Sequence, residues 1–273
     1  MSRIEAAFTR CRAEGRPALI GYLTGFDPDR AGSLARLRAA CAAGLDLLEL
    51  GVAFSDPTAD GPEIQAAMVR ALKSGSTLAG VIELATALRG EFPELPIVLF
   101  SYANPLLRAA AREAEGAAGL CRSLIEHGID GLLVVDLPPD LPPGHGELLR
   151  DSARAAGLDW IGLVAPTSTP HRRDRVLASA SGFVYAVSLT GVTGAALDAS
   201  SSALHEQLAD LRARTDLPVA VGFGVRSAAQ VGALAQVADG VVVGSALVRA
   251  GVEGVEVLAA KVRELRAACA GIC

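Results

Sequence analysis

The sequence predicts an α/β protein whose eight parallel strands close into a (β/α)8 barrel, the TIM-barrel class. Three observations favour this class. Short aliphatic runs recur along the 273 residues, each run is followed by an Ala-, Leu- and Arg-rich stretch with helical spacing, and the runs are almost continuously apolar. Continuous hydrophobicity is typical of strands that helices cover on both faces. An open doubly wound sheet is the alternative, but eight units in about 250 residues match the closed barrel.

The elements can be placed in order along the chain. A charged, helix-like segment at 2–14 comes first and is expected to cap the bottom of the barrel rather than to act as a signal peptide. The predicted strands are "PALIGYLT" (17–24), "LDLLELG" (45–51), "PIVLFSY" (96–102), "GLLVVDL" (131–137), "DWIGLVAP" (159–166), "GFVYAVS" (182–188), "PVAVGFG" (218–224) and "GVVVGSAL" (240–247). The Pro- and Gly-rich segment 137–146 is interpreted as a loop, so 1–273 is expected to be a single domain.

The composition argues against several classes of function. A net charge of −5 and 4% aromatic residues do not suit a nucleic-acid surface, which needs a basic face and stacking platforms. The five cysteines form neither a Cys-x-x-Cys pair nor a zinc-type spacing with the four histidines, so we expect no metal site and a reducing compartment. No apolar run reaches the ~20 residues of a membrane span. The expectation is a cytoplasmic protein without membrane or nucleic-acid partners.

A carboxylate interrupts the second apolar strand. In "ELGVAFSDPTADGP" (49–62), Glu49 stands where a buried strand normally carries an aliphatic residue, and Asp60 lies in the following loop. Function in a barrel gathers at the C-terminal ends of the strands, so both side chains are expected at the mouth. Burial raises a carboxyl pKa toward neutrality, which suits a general acid or base. The alternative is a structural carboxylate bonded to a Ser or Tyr, and for Asp60 the turn-like "ADG" leaves both interpretations open.

Glycines cluster at the ends of the last three strands, and the residues of interest are Gly194, Gly224, Gly244 and Ser245. Glycine lets backbone N–H groups approach a phosphate, and "GSALV" is expected to begin a helix whose N-terminus favours an anion. Each glycine could instead only turn a strand into a helix, but three at the right strand ends favour a phosphate site.

Aromatic side chains are scarce and lie at or near strand ends, namely Tyr22, Phe100, Tyr102, Tyr185 and Phe223. A mouth lined by rings suggests a ligand with a flat apolar part, although core packing is the alternative for any single ring. Asp136 ends the fourth predicted strand, and we expect it to fix a loop rather than to react.

The motif "LELGVAFSDPTADGP" (48–62) closely resembles the signature of the tryptophan synthase alpha chain family. The resemblance continues in the family's order through "YLTGFDP" (22–28), "YANP" (102–105), "GLLVVDLPP" (131–139), "APTSTP" (165–170), "SGFVYAVSLTGVTGA" (181–195), "VGFGV" (221–225) and "GVVVGSALV" (240–248). It implies a TIM-barrel lyase that cleaves indole-3-glycerol phosphate to indole and glyceraldehyde 3-phosphate, by a retro-aldol step in tryptophan biosynthesis.

The same resemblance implies roles for individual residues. Glu49 and Asp60 match the family's catalytic carboxylates. Its phosphate contacts fall on Gly194, Gly224, Gly244 and Ser245. Its indole pocket falls on Tyr22, Phe100, Tyr102, Leu133, Val135, Leu163, Tyr185, Phe223 and Val242. The family implies no cofactor in this chain, because pyridoxal phosphate belongs to a beta-chain partner in an alpha2beta2 complex.

Four loops depart from the family pattern, at Ala53, at Leu189, in the Ala-rich segment after "YANP", and in "DLPPDLPPGHG" (136–146). They lie where the family docks its beta chain, so a free-standing indole-3-glycerol phosphate lyase, releasing indole for another pathway, is the alternative. An inactive phosphate-binding paralogue is a third hypothesis, against which the intact carboxylates argue. Another phosphosugar-handling barrel, such as an isomerase or an aldolase, is a fourth. A Schiff-base aldolase needs a strand lysine, and Lys73 and Lys261 fall in predicted helices.

Overall fold

The computed structural model describes residues 1–139, 146–188, 201–222 and 224–271. Within these ranges nine parallel strands form one sheet, in the spatial order β5-β4-β3-β2-β1-β9-β8-β7-β6. The strands are β1 (Ala18–Thr24), β2 (Leu47–Gly51), β3 (Ile97–Ser101), β4 (Gly131–Val134), β5 (Asp159–Trp160), β6 (Gly162–Val164), β7 (Val184–Val187), β8 (Val219–Gly222) and β9 (Gly240–Val243). Neighbours in the sheet follow the chain, as the strands of a (β/α)8 barrel do.

The ring closes within the fifth predicted strand. β5 pairs with β4, and β6 pairs with β7. Only Ile161 separates β5 from β6, and its N–H donates to the carbonyl of Leu132 at 2.9 Å. The continuous strand predicted at 159–166 is therefore corrected to two short strands, because its first residues pair with one end of the sheet and its later residues with the other. Nine observed strands thus correspond to the eight predicted.

Helices alternate with the strands and form the outer layer. In the described ranges they are α1 (Arg3–Ala13), α2 (Arg30–Ala42), α3 (Pro62–Lys73), α4 (Leu78–Glu91), α5 (Ala103–Ala110), α6 (Gly116–Glu126), α7 (Glu147–Ala156), α8 (Pro170–Ser179), α9 (Ser202–Arg214), α10 (Ala228–Leu234), α11 (Ser245–Glu253) and α12 (Val255–Ala270). Side chains that accept a backbone N–H cap the starts of α1, α2, α4, α8 and α10. None of the helices in these ranges combines the length and apolar character that crossing a bilayer requires.

Helix α1 caps the bottom of the barrel, as predicted. Ile4 and Phe8 are buried, and the ring of Phe8 lies 5.5 Å from the ring of Phe183, directly before β7. A Cβ added at Gly131, the first residue of β4, would lie 3.2 Å from Cδ1 of Ile4. Both contacts fall where strands begin, so α1 covers the end of the barrel opposite its mouth.

Three aspartates tie the bottom of the barrel together. Asp46, Asp130 and Asp239 directly precede β2, β4 and β9. Each carboxylate accepts a backbone N–H from a neighbouring strand, and these donors are Leu19, Ile97 and Val219. Arg16 pairs with Asp46 at 2.7 Å, and Arg89 pairs with Asp130 at 2.6 Å. These buried ion pairs fix the strand ends far from the mouth.

Strand register brings the predicted site residues to the inner face. Tyr22 of β1 aligns with Glu49 of β2, and Gly51 aligns with Phe100 of β3. Register partners and alternate residues of a strand share one face, so these four residues face the same side. That side is the interior, because the adjacent Gly21 points the opposite way, toward Leu247 of the outer helix α11.

Candidate active site

Glu49 lies in the middle of β2 with its side chain inside the barrel, and it is only 1% exposed. Burial raises the pKa of Glu49 to about 8. Its Oε1 atom has no hydrogen-bond partner among the residues that the structure describes, so neither a Ser nor a Tyr of those ranges fixes that oxygen. A buried carboxyl with such a pKa is largely protonated at neutral pH and is suited to exchanging a proton with a ligand.

Asp60 lies in the loop after β2, directly before the residue that caps α3, and is also buried. The hydroxyl of Tyr102 donates a hydrogen bond to Oδ2 of Asp60 at 2.7 Å. The N–H of Ala59 donates in turn to the Tyr102 oxygen at 2.9 Å. Burial raises the pKa of Asp60 to about 6, and the bond from Tyr102 opposes part of that rise. Asp60 is therefore mostly ionised at neutral pH, unlike Glu49.

Two residues that the sequence did not single out support the Asp60 loop. Gln65 donates from Nε2 to the carbonyl of Asp60 at 2.8 Å. Phe54 stacks on Tyr102, with ring centroids 5.0 Å apart. Asp136 accepts the N–H of Ala103 at 2.7 Å, next to Tyr102, which fits the loop-fixing role expected for it. In the sequence, only the aromatic ring of Phe54, within the motif at 48–62, could have indicated that this loop is supported.

The predicted rings lie close to both carboxylates. Tyr22 and Phe100 meet edge to face, with centroids 5.0 Å apart. Burial, followed by the charges of Asp60 and Glu49, raises the pKa of Tyr22 well above its ordinary value, and the same influences raise that of Tyr185. The two tyrosines therefore share one electrostatic environment with Glu49 and Asp60, inside the barrel.

Three of the remaining predicted pocket residues, Leu133, Leu163 and Val242, follow the same inner face. Leu133 aligns with Phe100 and Leu163 aligns with Tyr185. Leu133 and Val242 are buried, whereas Leu163 and Val135 are partly exposed. Phe223 lies outside the described residues.

Two of the predicted phosphate residues lie at the start of α11. Gly244 caps this helix and Ser245 is its first residue. Gly224, after β8, has a φ of 79°, a conformation that favours glycine. A Cβ added at Gly244 would lie 3.4 Å from Cβ of Tyr22, so the start of α11 adjoins the aromatic pocket. Gly194 lies outside the described residues.

The arrangement combines a protonated carboxyl, an ionised carboxylate, a pocket of rings and a helix N-terminus at one mouth. Such a site can donate a proton, hold a donor group and anchor an anion. In the parts of the chain that the structure describes, no three His, Cys, Asp or Glu side chains come together in a way that could hold a metal ion.

The fold and this site define a TIM-barrel enzyme with two buried carboxyls, one within β2 and one in the loop after it. The family model for "Tryptophan synthase alpha chain" matches residues 8–272. The chain belongs to the tryptophan synthase alpha chain family, and the resemblance noted in the sequence is confirmed.

Individual relatives agree with this assignment. The tryptophan synthase alpha chain of Halorhodospira halophila is 49% identical over 249 residues, which is 91% of this chain and 87% of that relative. The alpha chain of Gluconacetobacter diazotrophicus is 50% identical over 248 residues, covering 91% and 86%. A solved structure of Mycobacterium tuberculosis tryptophan synthase has a TM-score of 0.87 and 40% identity, and covers 98% of each chain.

Proposed function

We propose that this lyase cleaves indole-3-glycerol phosphate to indole and glyceraldehyde 3-phosphate, as the alpha subunit of a tryptophan synthase. The observation that carries the proposal is the pair of buried carboxyls at one mouth, Glu49 with a pKa of about 8 and Asp60 with a pKa of about 6. Family membership indicates the substrate. Of the two carboxyls, Glu49 supplies the acid and the base that cleavage requires, and Asp60 supplies a carboxylate for the indole N–H.

Glu49 is proposed to move both protons of the reaction. Direct cleavage would leave a carbanion on the aromatic ring, so the neutral carboxyl first donates its proton to indole C3 and forms an indolenine. The resulting carboxylate removes the proton of the hydroxyl next to the scissile bond. The O–H electrons form the aldehyde, the C–C electrons return to the indolenine, and indole is restored. Glu49 ends the cycle protonated, as it began.

Asp60 is proposed to accept a hydrogen bond from the indole N–H. Positive charge grows on that nitrogen when C3 is protonated, and a carboxylate beside it stabilises the charge. Tyr102 binds only Oδ2 of Asp60, so the tyrosine orients the carboxylate while Oδ1 is left to meet the ligand. The lower pKa of Asp60 suits this role, because the group must be ionised when substrate binds.

The substrate is proposed to be held at both ends. The phosphate-binding residues are Gly194, Gly224, Gly244 and Ser245, and the indole-binding residues are Tyr22, Phe100, Tyr102, Leu133, Val135, Leu163, Tyr185, Phe223 and Val242. Anchoring the two ends holds C3 against Glu49, and positioning of this kind contributes rate without chemistry.

We infer that this chain needs no cofactor, and that pyridoxal phosphate belongs to a beta-chain partner. The match to a chain of Mycobacterium tuberculosis tryptophan synthase supports such a partner. The relatives reported above are alpha chains, which favours the subunit over the free-standing lyase. A cytoplasmic location stays a prediction.

A steady-state assay of indole release tests the proposal. The purified chain is supplied with indole-3-glycerol phosphate, and indole and glyceraldehyde 3-phosphate are measured separately, with and without a beta chain. We expect the two products in equal amounts, and faster turnover when the beta chain is present. No indole under either condition would refute the reaction. Equal rates in both conditions would favour the free-standing lyase.

A further inference from the structure

Three charged side chains near the mouth, Glu63, Arg226 and Arg249, have no role assigned to them in the reaction described above. Arg249 of α11 pairs with Glu63, in the first turn of α3. Arg226 belongs to the loop after β8, and its charge also acts on Glu63. Burial alone would raise the pKa of Glu63, but its own backbone N–H, Arg249 and Arg226 bring the pKa below its usual value. Glu63 is thus an anion that the charges of both arginines stabilise.

The cluster adjoins the start of α11. A Cβ added at Gly244 would lie 3.3 Å from Cδ1 of Ile64, the residue after Glu63. Arg249 lies four residues beyond Ser245, on the same face of the helix. Arg226 follows Gly224 by two residues. The Glu63–Arg249 pair therefore lies beside the start of α11, and Arg226 lies in the loop that follows Gly224.

Arg226 and Arg249 differ in the hydrogen-bond partners of their guanidinium groups. Its backbone N–H donates to Oε1 of Gln230 at 2.8 Å, which fixes the loop that carries it. Its Nε atom, however, is buried and has no hydrogen-bond partner among the described residues. Arg249 is committed to Glu63, so the cluster has one positive charge in excess. A buried guanidinium donor without an acceptor is unfavourable until an acceptor arrives.

Resting on the phosphate site of the proposed function, we propose that Arg226 binds the substrate phosphate, supplying its counter-charge beside the start of α11. A phosphate dianion at glycine N–H groups and a helix N-terminus meets only partial positive charges. The planar guanidinium donates in a fork that matches two phosphate oxygens. Phosphate would give the orphaned Nε its acceptor, and Glu63 would hold the arginine in place when the site is empty.

The test measures binding of sn-glycerol 3-phosphate and inorganic phosphate by calorimetry, so that it does not depend on turnover. Arg226→Gln is expected to weaken both by about 10- to 100-fold, the range for one charged hydrogen bond. Arg226→Lys keeps the charge without the fork and is expected to lose less. Arg30→Gln, an exposed change of the same charge on α2, is the matched control and should bind as the parent does.

The outcomes separate this inference from the proposed function. With substrate, Arg226→Gln should raise KM and leave indole affinity nearly unchanged, whereas a structural role would also move the unfolding temperature and indole binding. Parental phosphate affinity in Arg226→Gln would overturn the inference even if the parent cleaves substrate. Loss of phosphate binding in that variant supports it even if the parent proves inactive. A parent that binds neither probe overturns the site and this inference with it.

Discussion

The hydroxyl of Tyr102 donates to Oδ2 of Asp60 at 2.7 Å, across 42 residues of sequence, and thereby joins the end of β3 to the loop after β2. Tyr102 also receives the N–H of Ala59 and stacks on Phe54. A residue expected to line the pocket therefore also orients a carboxylate and lowers its pKa. This relationship connects the geometry of the mouth to the pH at which the site works.

Tyr102→Phe is expected to raise the pKa of Asp60, because the lost hydrogen bond stabilises the ionised form. A bond to a charged group is worth about 1.5–3 kcal/mol, and about 1.4 kcal/mol corresponds to one pKa unit, so a rise of roughly one to two units is expected. The pH dependence of kcat/KM measures it as an upward shift of the acid limb. An unmoved acid limb would mean that Asp60 is not the group that titrates there.

The parental enzyme is expected to show a bell-shaped pH profile. Glu49 must be protonated to donate to C3, so activity should fall as the pH rises through about 8. Asp60 must be ionised to hold the indole N–H, so activity should fall as the pH drops through about 6. The substrate phosphate also titrates near pH ~6. Tyr102→Phe separates the two, since it moves only the Asp60 contribution.

Glu49→Gln is expected to lower kcat by at least ~10²–10⁴-fold, the usual worth of a proton-transfer group, and Asp60→Asn should be similarly severe. Glu49→Gln should at the same time stabilise the fold at alkaline pH. The folded pKa of Glu49, about 8, lies above its ordinary value of 4.5, so the parent loses stability as the pH rises between those values. Unfolding in urea at pH 5 and pH 8.5 checks this, and a variant that gains nothing at the higher pH contradicts the buried environment of Glu49.

Much of this architecture follows from the sequence because it depends on local pattern. Continuous apolar runs predict strands covered on both faces, and a lone Glu49 within such a run is visible without any tertiary information. The break at Ile161 was not predictable, since it reflects which neighbour each half of the segment pairs with. Apolar character cannot report that choice.

Side-chain partnerships were also beyond the sequence. The bond from Gln65 to the carbonyl of Asp60 depends on how the loop folds back on α3. The Glu63–Arg249 pair joins residues 186 positions apart, and nothing in either local motif marks it. Nothing in the sequence around Gly51 marks its neighbour, yet a Cβ there would meet the ring of Tyr22. Such contacts arise only when the barrel closes.

Asp130→Asn is expected to destabilise the fold without changing kcat. Asp130 is buried and accepts hydrogen bonds from Arg3 at 2.9 Å and Arg89 at 2.6 Å, at the bottom of the barrel. Removing one partner of a buried ion pair costs about 3–5 kcal/mol, because the other charge is left uncompensated. Glu83→Gln, which removes an exposed pair with Arg30, is the control and should cost less than ~1 kcal/mol. Equal losses of unfolding free energy in the two variants would show that Asp130 stabilises the fold no more than an exposed ion pair does.

Gly51→Ala is expected to lower both stability and kcat, because the added Cβ would lie 2.3 Å from the Tyr22 hydroxyl oxygen and 2.6 Å from its Cζ. Overpacking of this kind costs about 1–3 kcal/mol. Adding Tyr22→Leu should recover stability but not kcat, since the ring belongs to the proposed indole pocket. Gly90→Ala, on an exposed turn of α4 where nothing lies within 4 Å, is the matched control and should be neutral or stabilising. Urea unfolding measures the stability and indole release measures kcat. An unchanged urea midpoint in Gly51→Ala would show that the Tyr22 ring does not pack against this glycine.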